Sequence, residues 1–226
     1  MAVKLQAAGI YSIAEAARLV DVPPRRLRDW VVGHRKSAQP PALESELERA
    51  DGQIALSFVN LVEAHFINVF LGQMPLIRLR KQIEEAKRVL ETPHPFAQNA
   101  LFQTDGARLY LEIAQATGDP HLYDLGKRNF AIWTVLKGEF LRGLEYDASG
   151  AASSWKPRRE LAPTVVLRPK VAFGAPALEQ SMVPTNTLFE AVQAEGDIPT
   201  VAKWYGLAEN DVEQAIRFEV ALRKAA

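Results

Sequence analysis

The chain has 226 residues with 27 basic and 27 acidic side chains, so it carries no net charge; 48% hydrophobic and 24% charged residues are the composition of a folded globular protein. At ~150 residues per domain the length suits two or three small units and excludes one large barrel. There is no cysteine, which rules out a disulfide framework, a thiolate nucleophile and any thiolate metal site, and fits a cytoplasmic location. No window approaches the length of an apolar membrane span, and residues 1–10 lack the marks of a signal peptide, so no membrane association is expected.

In chain order, Ser12 with Glu15 three residues on forms a capping-box signal, and Ile13, Ala16, Ala17 and Val20 recur at helical spacing, predicting a helix over 13–20. Pro23-Pro24 opens a second helix whose apolar stripe is Leu27, Trp30 and Val31. Asp51-Gly52 is the strongest two-residue hairpin signal in the chain, and a β-hairpin wing is expected over 43–55. Ser57 caps a third helix, with Phe58, Leu61, Val62, His65, Phe66, Val69 and Phe70 marking an apolar face. A fourth helix over 76–90 places Leu76, Leu79, Ile83, Ala86 and Leu90 at heptad spacing, a stripe that suits either a core helix or a dimer seam.

Beyond 92 the pattern predicts a strand over 107–112, a helix over 129–141, and strands over 143–147 and 152–156. Residues 157–163 read as a basic, Pro-flanked linker. Short strands are expected over 164–167 and 171–173, then helices over 185–193, 198–205 and 209–223. The fold class is therefore mainly α with small β elements. Three units are expected: 1–92, a winged helix-turn-helix with a helical hairpin; 93–156, a small mixed α+β unit; and 157–226, a trihelical helix-turn-helix-like domain.

Charge is uneven along the chain. Residues 18–36 hold six basic side chains (Arg18, Arg25, Arg26, Arg28, Arg35 and Lys36) against two acidic ones, whereas 171–226 hold four basic against eight acidic. A helix-turn-helix needs a small residue inside its first helix and, four residues later, a residue that tolerates left-handed backbone. Ala17 and Asp21 meet that template at the front, as do Ala202 and Gly206 at the rear. At the front the second helix carries arginines that can reach phosphates and guanine edges. At the rear the last helix carries Glu209, Asp211, Glu213 and Glu219, which repel phosphates and suit a protein partner. Trp204 and Phe218 are expected in the core of the rear unit.

The run Tyr11-Ser12-Ile13-Ala14-Glu15-Ala16-Ala17-Arg18-Leu19-Val20-Asp21-Val22, followed by Leu27-Arg28-Asp29-Trp30, resembles the start of the MerR family of winged helix-turn-helix DNA-binding proteins. The resemblance implies that Arg28 lies against the DNA backbone. A second constellation runs from Val166 to Pro176 (VLRPKVAFGAP), through Val183-Pro184-Thr185 and Gly196-Asp197-Ile198 to Tyr205-Gly206-Leu207, and ends at Val212 to Glu219. It resembles a bacterial family first described as domain of unknown function 433 and since grouped with VapB-like antitoxins. That resemblance implies a partner, a PIN-like ribonuclease-fold toxin, and an antitoxin that binds operator DNA as a homodimer and represses its own operon. On this reading Arg18, Arg25, Arg26, Arg28, Arg35 and Lys36 contact DNA. Lys156, Arg158, Arg159, Arg168, Lys170, Tyr205 and Arg217 contact the toxin, the basic segment being suited to acidic metal ligands.

An alternative is a ligand-sensing MerR-type regulator in which the middle unit, around Leu109, Tyr110, Trp133 and Tyr146, encloses an apolar effector. Catalysis is not expected. His34, His65, His94 and His121 lack metal-site spacing, no phosphate-binding glycine loop or nucleophile turn occurs, and Glu139, Glu145 and Asp147 read as a solvated face. No metal or other cofactor is expected.

Overall fold

Ser12 begins the first helix by the reciprocal cap that its spacing to Glu15 predicts. In the computed structural model, which describes residues 9–33, 41–47, 52–72, 75–98, 138 and 140–224, Ser12 Oγ accepts the Glu15 N–H and the Glu15 carboxylate accepts the Ser12 N–H. Helix α1 (Ile13–Val20) ends at Asp21, whose backbone is left-handed (φ 64°) and whose N–H donates to Ala17 O. Aspartate is among the few residues that adopt this conformation readily. α2 (Pro24–Val32) follows with proline at its entrance, where a missing N–H costs nothing. Ser57 and Asn60 repeat the reciprocal cap at the start of α3 (Phe58–Leu71). This helix is buried nearly all round, as its lack of a polar face requires, and it is the element around which the core is built. In α4 (Leu76–Val89), Leu79, Ile83 and Ala86 are buried against the chain's own core. The heptad stripe is thus core within one chain, with no need of a dimer seam to cover it.

The chain is mainly helical, with small two-stranded antiparallel sheets. β1 (Tyr11–Ser12) pairs with β2 (Ala55–Leu56), β3 (Leu144–Tyr146) with β4 (Ala152–Trp155), and β5 (Val165–Val166) with β6 (Ala177–Leu178). The second pair lies where the sequence placed it. The wing differs from expectation: residues 41–47 contain no strand, 48–51 lie outside the described residues, and β2 pairs with the N-terminal β1. The reason is a stronger set of bonds elsewhere. Ala42 and Leu43 donate their N–H groups to Trp30 O, Ser45 Oγ donates to Ala55 O, and Asn60 bonds to both Glu44 and Glu46. That segment is tied to the end of α2 and the cap of α3. Residues 171–173 are not a strand either. Ala172 and Phe173 are left-handed (φ 46° and 55°) in a 3-10 turn at Ala172–Gly174, so the chain returns to β5 only at Ala177.

Residues 157–163 fold back on themselves, with Leu161 and Ala162 donating to Arg158 O, and a bridge between Trp155 and Leu167 joins the segments on either side. α5 (Thr185–Glu195), α6 (Ile198–Tyr205) and α7 (Glu209–Lys224) complete the chain close to their predicted bounds. The strand expected over 107–112 lies outside the described residues. So does most of the helix over 129–141, whose last residues are helical with Phe140 buried. One hydrophobic cluster runs from Tyr11 through α3 to Leu222.

Glu63 of α3 is buried in that cluster, its carboxylate accepting the N–H groups of Phe96 and Ala97 (2.9 and 3.0 Å). Burial pushes its pKa up to about 8, against the lowering effect of those two bonds and of Lys87. The folded state therefore holds a proton that the unfolded chain releases near the ordinary carboxylate range. This stabilises the fold at low pH, and the contribution is lost as pH rises through about 8. Urea unfolding of wild type and Glu63→Gln should diverge between pH 5 and 8, wild type losing up to about 1.4 kcal/mol per pH unit relative to the variant. Parallel stability curves would contradict the assignment.

Candidate functional site

The front surface is set by α1 and α2. Ala16 and Ala17 are fully buried where α1 meets its neighbours, and Leu27 and Trp30 turn α2 inward (0% and 1% exposed). The opposite side of α2 presents Arg25, Arg26 and Arg28 to solvent, and none of the three forms an ion pair or hydrogen bond with a described residue. Arg18 is elsewhere. It is half-buried on α1 and lines a cleft of about 350 Å³ together with Phe173, Pro176 and Arg223 from the C-terminal part of the chain, while its carbonyl accepts from Arg158. Arg35 and Lys36 lie outside the described residues.

The rear surface is set by α6 and α7. Asp197 caps α6 by accepting the Thr200 N–H; the Thr200 hydroxyl first and that N–H second hold its carboxyl below the usual range, and left-handed Gly206 ends the helix with its N–H on Ala202 O. The parallel with the front pair is close. Asp21 and Val22 donate to Ala17 O as Gly206 and Leu207 donate to Ala202 O, and both alanines are buried. Phe218 is core, as expected, but Trp204 is 61% exposed. At 100° per residue Trp204 stands 60° from buried Val201 and 160° from buried Ala202, at the edge of the inward face, and its ring is left in solvent. Beside it Tyr205 is also exposed, and Arg217 on α7 pairs with Glu213 (2.6 Å).

The basic segment is only partly free. Lys156 and Arg168 share Glu179 (2.5 and 3.3 Å), and Arg158 lies 3.6 Å from Asp21. Arg159 and Lys170 are exposed. In the middle of the chain Tyr146 donates its hydroxyl to Phe96 O, and Glu145 accepts from Ser154 Oγ across the hairpin. Leu109, Tyr110, Trp133 and the Glu139 side chain are outside the described residues. His65 stacks on Phe140 and packs at a tilt against Trp155, and His94 faces Glu46 at 3.3 Å, with burial holding its pKa down. Among the described residues no group of three His, Asp or Glu side chains is placed to hold a metal, and no helix is long and apolar enough to cross a membrane.

One contact has no clear signal in the sequence: the front and rear are clasped. Tyr11, only 3% exposed, donates its hydroxyl to Gly174 O (2.8 Å), and Ile10 N donates to Phe173 O (2.9 Å). Burial pushes the Tyr11 pKa upward, so the hydroxyl stays a donor. A Cβ at Gly174 would sit 2.3 Å from the Tyr11 hydroxyl at a φ of +85°, so glycine is required there.

No protein-family model matches the sequence. Among curated proteins it is similar to "Putative antitoxin VapB45" of Mycobacterium tuberculosis (strain ATCC 25618 / H37Rv), with 26% identity over 222 residues, 92% of each chain. The resemblance to an antitoxin runs almost end to end. Among solved structures it is similar to the crystal structure of Rv2018 from Mycobacterium tuberculosis, with a TM-score of 0.72 at 24% identity over 91% of this chain and 96% of that one. The fold is therefore shared along nearly the whole length.

Removing the clasp hydroxyl with Tyr11→Phe should cost about 1–2 kcal/mol in urea unfolding, because it orphans a buried carbonyl, and Gly174→Ala should cost more. A Tyr11→Phe chain as stable as wild type would show that the bond carries no weight.

Proposed function

We propose that this chain is the antitoxin of a bacterial toxin–antitoxin pair that also represses its own operon. The observation that carries the reading is the near end-to-end similarity to a protein named as an antitoxin. The surfaces described above support a division of labour. Arg25, Arg26 and Arg28 on α2 are exposed and form no ion pair with a described residue, in keeping with a winged helix-turn-helix of MerR-like kind reading DNA. Arg18, Arg35 and Lys36 belong to the same proposal. A homodimer would place two such faces on half-sites one or more helical turns apart.

The rear helix pair is proposed to bind the toxin, a PIN-like ribonuclease. Trp204 and Tyr205 are large aromatic side chains left exposed beside an acidic helix, the composition of a protein-binding patch and a poor one for phosphate. Tyr205 and Arg217 lie on that patch. In the basic segment, Arg159 and Lys170 are exposed toward any acidic partner surface, while Lys156, Arg158 and Arg168 must first leave Glu179 and Asp21. Neutralisation by covering the toxin's acidic, metal-binding site or its RNA groove follows from such contacts. The units 1–92, 93–156 and 157–226 are proposed as its functional divisions, and the cytoplasm as its location.

A crossed experiment tests both halves. Arg25→Ala with Arg28→Ala should weaken binding to the operon's promoter DNA and reduce the salt slope by about two, leaving toxin affinity unchanged. Trp204→Ala with Tyr205→Ala should weaken toxin binding at least about tenfold and leave DNA binding unchanged. Loss of both activities in either variant, or of neither, would overturn the assignment.

A further inference from the structure

A second cleft, of about 380 Å³, lies where the turn after β4 meets α3 and the end of α7, and the four cations Arg142, Lys156, Arg158 and Arg159 converge on it. The acid in its lining is Glu160, which pairs with Arg142 at 3.4 Å. Glu179 and Asp21 offset part of the charge from behind, through Lys156 and Arg158.

Arg158 is the unusual member. Its guanidinium is held by one hydrogen bond to Arg18 O (3.2 Å) and stands 3.6 Å from the Asp21 carboxylate, beyond hydrogen-bond length. Its Nε is buried with no partner. An unsatisfied buried donor costs about 1–3 kcal/mol, and on a charged group that cost is not relieved by a neutral carbonyl at the other end of the fork. Arg159, the next residue, is exposed and forms no ion pair with a described residue.

We infer that this cleft binds a small phosphate-bearing ligand, gripped chiefly by Arg158 and Arg159. A phosphate group supplies several acceptor oxygens and about two negative charges to adjacent guanidinium forks, which a single carboxylate does not. Leu161, 40% exposed, and Pro157 give the cleft an apolar side beside the tilted His65–Trp155 pair, where the body of a phosphate ester can rest. Because Arg158 also holds the last turn of α1 and faces Asp21 between α1 and α2, a ligand that draws its guanidinium away from Asp21 loosens the support of the α1–α2 turn. The inference does not depend on the antitoxin reading, and its test uses neither toxin nor operator.

Isothermal titration of the full chain with inorganic pyrophosphate, and separately with adenosine diphosphate, is to be compared with sodium chloride at equal ionic strength. Saturable one-to-one binding is expected, at least tenfold weaker in Arg159→Ala and in Arg158→Gln, and unchanged in Arg28→Ala on the other cationic surface. Tighter binding of the nucleotide assigns the ligand as a phosphate ester, and tighter binding of pyrophosphate assigns a free inorganic anion; both uphold the site. Should Arg158→Gln fail to melt cooperatively, Arg159→Ala decides the matter, since its side chain is exposed. No saturable heat, or equal weakening in Arg28→Ala and Arg159→Ala, overturns the inference.

Discussion

The bond from the Tyr11 hydroxyl to the Gly174 carbonyl joins residues 163 positions apart, and it ties the strand that leads into the front helix pair to the turn that precedes the rear helices. One hydrogen bond contributes on the order of 1 kcal/mol, but this one is buried at a place where several constraints meet. Gly174 must lack a side chain, Ala172 and Phe173 must hold left-handed backbone, and Tyr11 must lie in β1 against β2. Consecutive left-handed residues other than glycine store strain that persists only when the surroundings enforce it. Here the enforcement comes from the N-terminal segment, through the Tyr11 and Ile10 contacts. The ends of the chain therefore form a seam with its own cleft, and Arg158 adds a second tie from the rear to the α1–α2 turn.

The two helix pairs that flank this seam use one backbone solution with different side chains. A buried alanine, a left-handed residue four positions on, and two N–H groups returned to the alanine carbonyl recur at Ala17–Asp21 and Ala202–Gly206. What distinguishes them is the surface. α2 exposes three arginines, whereas α6 and α7 expose two aromatic rings among acids. Backbone geometry thus does not distinguish the two pairs, whereas local charge does, because phosphate attraction sums over the few side chains that face it.

Much of the helical structure was legible because its signals are local. Ser12 with Glu15 fixed one helix start, and Pro23-Pro24 the next, since a helix start is decided within four residues. The short strands were less legible. Two-residue strands such as β1 and β6 leave almost no periodic trace, and their partners are chosen by distant contacts: Trp30 O and Asn60 capture residues 42–46, and the left-handed turn at Ala172 delays the return to β5. Trp204 is not core because it sits only at the edge of the inward face of α6, where neither its hydrophobicity nor its spacing from Val201 decides burial. The clasp was invisible, as a tyrosine and a glycine so far apart carry no joint pattern. Of the candidate site residues, the exposure of Arg25, Arg26 and Arg28 was legible from the helical spacing of α2, but the sequence could not show that Lys156, Arg158 and Arg168 face acids of their own chain.

The central claim is that one clasped chain carries two separate partner surfaces, the cationic front for promoter DNA and the aromatic rear for the toxin. The most direct test is to titrate the toxin into the chain already bound to its promoter duplex and follow the mass of the complex by light scattering. The account predicts a heavier ternary complex of DNA, antitoxin and toxin. Release of the DNA as toxin binds at the front, or failure of the toxin to join at any concentration, would contradict it.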